Sequence, residues 1–74
     1  MSGESASIAI LSARERECLL WASLGKSSSD TAQILGLSSR TVDGYLDRAR
    51  NKLGVRTRIE AVAAGVRRGL IEAG

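Results

Sequence analysis

The chain has 74 residues, a formal net charge of +3, no histidine and a single cysteine, Cys18. This length suits one small domain, and the composition excludes an internal disulfide, the usual single-chain zinc sites and histidine-based catalysis. We therefore expect no enzyme, metal or cofactor. Because no apolar run approaches the ~20 residues of a membrane span, we expect a cytoplasmic protein without a membrane contact.

The charge is distributed unevenly along the chain. Residues 1–37 carry three basic and four acidic side chains, whereas residues 38–74 carry eight and four. A basic half of this kind suggests a polyanionic partner. Because Trp21 and Tyr45 are the only aromatic residues, modules that stack single-stranded bases are disfavoured, and double-stranded DNA is the better candidate.

The N-terminal stretch 1–10 is small and polar at first, and we predict a disordered lead or the remnant of a linker. The domain is predicted to occupy residues 11–74. Ser12 and Glu15 have the spacing of a capping box, which opens a helix predicted to end at Gly25. Its apolar surface is predicted to come from Cys18, Leu20, Trp21 and Leu24, with Cys18 a buried small hydrophobe and Trp21 a core anchor.

Residues 27–53 have the pattern of a helix-turn-helix. Ser27 with Asp30 predicts a capped short helix, Gly36 its end, and Ser38 the cap of a longer helix at residues 39–53. One side of this longer helix is an apolar stripe of Val42, Leu46, Ala49 and Leu53. The opposite side is polar and contains Arg40, Gly44, Asp47 and Asn51. Amphipathicity alone leaves two interpretations open, a recognition helix in a major groove or an ordinary solvated face.

Four residues in or near this helix suggest specific contacts with DNA. Lys26 precedes the first helix of the motif and is either a phosphate contact or a solvated lysine. Gly44 costs about 0.5–1 kcal/mol relative to Ala within a helix, which suggests that a partner approaches the backbone closely there. Asp43 and Asp47 repel phosphate but accept a hydrogen bond from the cytosine amino group, so we predict that an aspartate reads cytosine.

The last predicted helix covers residues 58–68, capped by Thr57 with Glu60 and ended by Gly69. Leu70 and Ile71 are predicted to tuck under the domain, and Ile59 to serve the core. A second apolar strip consists of Val62, Ala63 and Val66. This strip is either a dimer interface or part of a small core. Four helices without a strand pattern predict an all-α four-helix bundle.

The same residues resemble the LuxR-type (GerE-type) helix-turn-helix domain of bacterial transcription regulators. The matching elements are Leu11-Ser12-x-Arg14-Glu15-x-Glu17, Gly25-Lys26-Ser27, Ala32, Leu35-Gly36-Leu37-Ser38, Thr41-Val42, Leu46, Lys52-Leu53-Gly54-Val55, Arg58, Ala61 and Gly69-Leu70. The resemblance covers residues 11–71 without gaps. It implies a dimeric, sequence-specific regulator whose third helix enters the major groove and whose fourth helix forms the dimer.

The resemblance also implies roles for individual residues. Base contacts would come from Asp43, Gly44 and Asp47. Phosphate contacts would come from Lys26, Ser38, Arg40, Thr41 and Lys52. Glu17 would tie the scaffold together by pairing with a basic residue, for which Arg58 is the candidate.

Three departures from the family pattern affect the target sequence rather than the fold. Asp43 stands where the family commonly has a basic residue, Gly44 replaces a larger one, and Tyr45 replaces a frequent histidine. The acidic pair favours an alternative function, in which the scaffold is a helical protein-interaction module. Its partner would then be RNA polymerase or another regulator, whereas the basic second half of the chain favours DNA.

Overall fold

The computed structural model describes residues 11–72, which fold into four α-helices. They are α1 (Ala13–Ser23), α2 (Ser28–Leu35), α3 (Ser39–Leu53) and α4 (Arg58–Arg67). The predicted all-α fold with a helix-turn-helix is confirmed. The lead predicted at residues 1–10 lies outside the described residues, as do residues 73–74.

Every helix begins after a hydroxyl side chain, as the sequence predicts. The hydroxyls of Ser12, Ser27 and Thr57 each accept from the backbone N–H three residues on, and the acidic side chain there accepts in return. Ser38 caps α3 in one direction only, because Thr41 stands at the position of the acid. These bonds satisfy backbone donors that a helix start leaves free.

The turn between α2 and α3 depends on Gly36. This residue has a φ of 71°, a left-handed conformation that favours glycine. The N–H groups of Gly36 and Leu37 both donate to the carbonyl of Ala32, so the chain leaves α2 sharply. Only residues 36–38 separate the two helices, which fixes the orientation of α3 relative to α2.

The central helix is α3, which packs against each of the other three. Its predicted apolar stripe is buried. The core is completed by residues of the other elements: Leu11, Cys18, Leu19, Ala32, Ala61, Ala64 and Ile71. Burial raises the pKa of the Cys18 thiol, in keeping with an inert core residue. With one side of α3 held in this core, its polar side is held outward.

Two residues predicted for the core lie outside it. Trp21 is half-buried and does not belong to the core cluster, because α1 turns Glu15, Cys18 and Leu19 inward and leaves Trp21 on its flank. Leu19 takes the role predicted for Trp21. Ile59 is 83% exposed, since it lies on the outer side of α4.

Close packing between α1 and α4 depends on Gly65. A Cβ at this position would lie 3.1 Å from Cδ2 of Leu19 and 3.2 Å from Cγ1 of Ile71. The missing side chain therefore makes room for the C-terminal segment, and Ile71 folds back into the core as predicted. No local sequence pattern indicates that a glycine is needed here, because the contact joins three separate elements.

Candidate nucleic-acid interface

The polar side of α3 forms a continuous surface. Arg40, Asp47, Arg48 and Asn51 are exposed, and Asp43, Gly44 and Tyr45 are half-buried. The buried stripe on the opposite side prevents the helix from rotating about its axis. A helix fixed in this way presents hydrogen-bonding side chains outward, as the major groove of duplex DNA requires.

The start of α3 brings three of the predicted phosphate contacts together. Ser38, Arg40 and Thr41 are all exposed. The Ser38 hydroxyl donates to Oγ1 of Thr41 over 2.9 Å and accepts from the Thr41 backbone N–H over 3.1 Å. The helix N-terminus adds a partial positive charge, which favours an anion at this end.

The first turn of α2 lies beside the first half of α3. Its Ser28 hydroxyl donates to Oδ1 of Asp43. Lys26 is exposed and lies two residues before Ser28 in the chain. Its proposed contact with phosphate stays a prediction.

Arg58, the first residue of α4, bridges the two aspartates of α3. Its Nη1 lies 3.0 Å from Oδ1 of Asp43 and its Nη2 lies 3.1 Å from Oδ1 of Asp47. The Ser28 hydroxyl and the Arg58 guanidinium hold the pKa of Asp43 below its ordinary value. Burial would lower the pKa of Arg58, but the two carboxylates outweigh it and raise that pKa. We name these residues, Arg58, Asp43 and Asp47, the arginine bridge.

The predicted pair between Glu17 and Arg58 is wrong. Glu17 instead pairs with Arg14 one turn away on α1, over 3.1 Å, while Arg58 lies at the arginine bridge. The bridge could not be predicted from the sequence, because Arg58 is 15 residues from Asp43 and 11 from Asp47 and lies on a different helix.

The buried carboxylate that ties the scaffold together is Glu15. Nζ of Lys52 lies 2.9 Å from its Oε1 and 3.1 Å from its Oε2, and the Ser12 N–H donates to Oε1 over 2.8 Å. Burial alone would raise the pKa of Glu15, but the bonds from Lys52 and Ser12 lower it below its ordinary value. Lys52 therefore joins the end of α3 to the start of α1.

Lys52 stands apart from the other predicted phosphate contacts. It lies 12 residues after Arg40 on the same helix, a distance of roughly 18 Å along the axis. Its ammonium group already serves Glu15. Its contact with DNA stays a prediction, and the structure gives Lys52 a scaffold role that the sequence did not reveal.

The middle of α3 combines an open backbone with an aromatic support. No atom lies within 4 Å of a Cβ built at Gly44, so the space there is free. One residue on, Tyr45 packs against the core, and the guanidinium of Arg48 lies 5.3 Å from the centre of its ring. A cation at this distance is attracted to the ring face, which restrains Arg48 beside the polar surface.

A second surface with an apolar character runs along α4. Ile59, Ala63 and Val66 are exposed, and Val62 is half-buried against the core. These residues follow the spacing i, i+3, i+4 and i+7, so they lie on one side of the helix. The strip predicted from Val62, Ala63 and Val66 therefore continues through Ile59.

The fold and the polar surface of α3 define the class of the protein, a helix-turn-helix DNA-binding domain. The family described as "Bacterial regulatory proteins, luxR family" (GerE) matches residues 9–64. The chain belongs to this family of transcription regulators.

Known proteins agree with the assignment. The chain is 46% identical over 61 residues to the transcriptional activator protein AhyR of Aeromonas hydrophila, a match covering 82% of this chain and 24% of AhyR. It is 44% identical over 62 residues to the transcriptional activator protein LuxR of Aliivibrio fischeri, covering 84% of this chain and 25% of LuxR. The solved structure of the transcription factor GerE has a TM-score of 0.85 at 29% identity, and the match covers 89% of this chain and 98% of that one.

The chain spans about a quarter of the length of these curated relatives. Among residues 11–72 no helix is long and apolar enough to cross a membrane. The same residues contain no group of three or more His, Cys, Asp or Glu side chains suited to hold a metal ion.

Proposed function

We propose that this domain binds a two-fold symmetric operator as a homodimer, with α3 of each copy in the major groove. The observation that carries the proposal is that α3 has a buried apolar side and an outward polar side. One side is locked in the core, and the other presents hydrogen-bonding groups beside the N-termini of α2 and α4. A rigid helix of this kind is what sequence-specific contacts to base edges require.

Individual residues have distinct roles in this proposal. Asp43, Gly44 and Asp47 form the surface of α3 that faces the base edges. Lys26, Ser38, Arg40, Thr41 and Lys52 are the proposed phosphate contacts. The open space at Gly44 supports a close approach of DNA to the backbone there. Among these five residues, Lys52 has the weakest support as a phosphate contact, because its ammonium group already pairs with Glu15.

The proposed dimer uses the apolar strip of α4. Val66 is 39% exposed and Ile59 is 83% exposed, so both lose apolar surface to water on association. Ala63 permits the two helices to approach closely. A symmetric pair formed through this strip would place two copies of α3 on one side of the dimer, matched to half-sites about one helical turn of DNA apart.

The relatives named as transcriptional activators support a role for the domain as the DNA-binding part of a cytoplasmic regulator. RNA polymerase is a further proposed partner of such a regulator. A second candidate function is a protein-interaction module, which the two aspartates on the outer side of α3 favour. The arginine bridge weakens this alternative, because it already pairs both carboxylates within the chain.

Selection of bound duplexes from a random DNA pool tests the proposal. The purified domain is expected to enrich one site with two-fold symmetry. The affinity for that site should fall with salt, with a log–log slope of about −0.9 per phosphate neutralised. A domain that enriches no sequence, or whose affinity is independent of salt, would contradict the proposal. Binding to a regulator protein without binding to DNA would favour the alternative.

A further inference from the structure

The arginine bridge lies on the surface proposed to read DNA, although Arg58 belongs to α4. Its guanidinium spans one turn of α3, contacting Asp43 and Asp47 through different nitrogens. Two of its five N–H groups are used in these bonds, and its side chain is 41% exposed. The guanidinium of Arg58 is therefore held in place and still has unused N–H donors. It lies beside Gly44, where the backbone of α3 is open.

The bridge restrains a side chain that is otherwise flexible. Arg58 is held from both sides, and Asp43 is itself held by the Ser28 hydroxyl of α2. Three helices thus determine the position of one guanidinium. Holding a donor in place before binding reduces the entropy that association would otherwise cost, which favours discrimination between partners.

The charges of the surroundings suit a base edge better than a phosphate. Nε of Arg50 also approaches Oδ1 of Asp47, at 4.0 Å. Two guanidinium groups and two carboxylates together have no net charge, so they attract a phosphate weakly. Guanine, by contrast, presents two neutral acceptors, N7 and O6, in the major groove, and an arginine fork matches them.

We propose that Arg58 reads a guanine in each half-site, and that Asp43 and Asp47 are positioning residues for its guanidinium rather than readers of cytosine. This inference rests on the proposed function, because it requires α3 to lie in the major groove. It assigns a specificity-determining contact to α4, outside the recognition helix. It also gives the acidic residues of α3 a purpose compatible with binding to a polyanion.

The test compares the sites selected by the wild-type domain and by Arg58→Gln. The wild type is expected to prefer guanine at one position of each half-site, and Arg58→Gln to lose that preference while retaining the others. A good bidentate contact corresponds to about 5- to 150-fold discrimination against the wrong base. Arg58→Lys, which keeps the charge but not the planar fork, should weaken the preference without abolishing it. Far-UV circular dichroism of both variants checks that they fold.

Replacing the guanine by 7-deazaguanine separates the two readings of the same base pair. This base lacks the N7 acceptor but leaves the cytosine amino group unchanged. We expect the wild-type affinity to fall roughly ten-fold per half-site and that of Arg58→Gln to stay the same. If an aspartate reads the cytosine instead, 7-deazaguanine will have no effect on the wild type, and Arg58→Gln will keep its preference. Either result overturns the inference.

Two further variants test the role of the aspartates, and one serves as a control. Asp43→Ala and Asp47→Ala should reduce the preference for guanine over adenine without redirecting it to another base. A change to a different preferred base would contradict a positioning role. Arg16→Gln removes the same charge from α1, next to the C-terminal segment, and should select the wild-type sequence. If the wild-type domain binds no duplex at all, the proposed function fails rather than this inference.

Discussion

The pair of Glu15 and Lys52 predicts an asymmetric response to mutation. The side chain of Glu15 is 3% exposed, whereas that of Lys52 is 37% exposed. Lys52→Met therefore leaves a buried carboxylate with the Ser12 N–H as its remaining partner. Removing one member of a fully buried pair costs about 3–5 kcal/mol, and an exposed pair contributes about 0.2–1 kcal/mol. For this half-buried pair we expect Lys52→Met to cost roughly 2–3 kcal/mol.

The reverse change should cost less. Glu15→Gln leaves an ammonium that water reaches, and its amide oxygen still accepts from the Ser12 N–H, so we expect a loss of about 1 kcal/mol. The double variant should be close to Glu15→Gln, since no buried charge remains. For a domain of this size, 2–3 kcal/mol lowers the Tm by roughly 8–24 °C.

Urea unfolding of the four proteins near neutral pH, followed by circular dichroism, measures these free energies. The wild type should also lose stability as the pH falls, because the pKa of Glu15 is lowered in the folded state. Its contribution is complete above the unfolded pKa of a glutamate and disappears as the pH falls through the folded pKa. Glu15→Gln should lack this part of the acid sensitivity. The reasoning is refuted if Lys52→Met costs less than Glu15→Gln.

Four further substitutions have expected outcomes. Gly44→Ala should stabilise the free domain by about 0.5–1 kcal/mol in thermal unfolding yet weaken operator binding, whereas Gly65→Ala should be the less stable of the two variants because Leu19 and Ile71 must move to admit the methyl group. Val66→Glu should abolish dimers in analytical ultracentrifugation and leave the helical content intact; loss of the fold would show that Val66 is needed in the core. Lys26→Ala should flatten the salt dependence of DNA binding by about one unit per contact removed, and an unchanged slope would make Lys26 a solvated lysine.

Local sequence signals were sufficient to predict the helices. The capping boxes and the helix-ending glycines depend on residues three or four apart, and the structure contains them where they were expected. The apolar stripe of α3 could be predicted equally well, because the buried positions follow the period of a single helix. The family resemblance then predicted the class of function, which the comparisons confirm.

Contacts between helices could not be predicted in the same way. Glu15 and Lys52 are 37 residues apart, and nothing in their spacing distinguishes this pair from the wrong one assigned to Glu17. The core position predicted for Trp21 is wrong because the orientation of α1 determines which of its apolar residues face inward. Asp43 and Asp47 show the same difficulty at the site. An aspartate on an outward side suggests a carboxylate that is free to accept a hydrogen bond from DNA. Only the structure shows that both carboxylates already pair with Arg58.

Chemical-shift mapping of the domain on titration with its selected duplex tests the central claim most directly. We predict that backbone amides shift along the polar side of α3, at the N-terminus of α2 and around Arg58. The flank of α1 that carries Arg16, next to the C-terminal segment, should be unaffected. Shifts confined to that flank, or no shifts on α3 with any duplex, would contradict the claim that α3 is the DNA-reading helix.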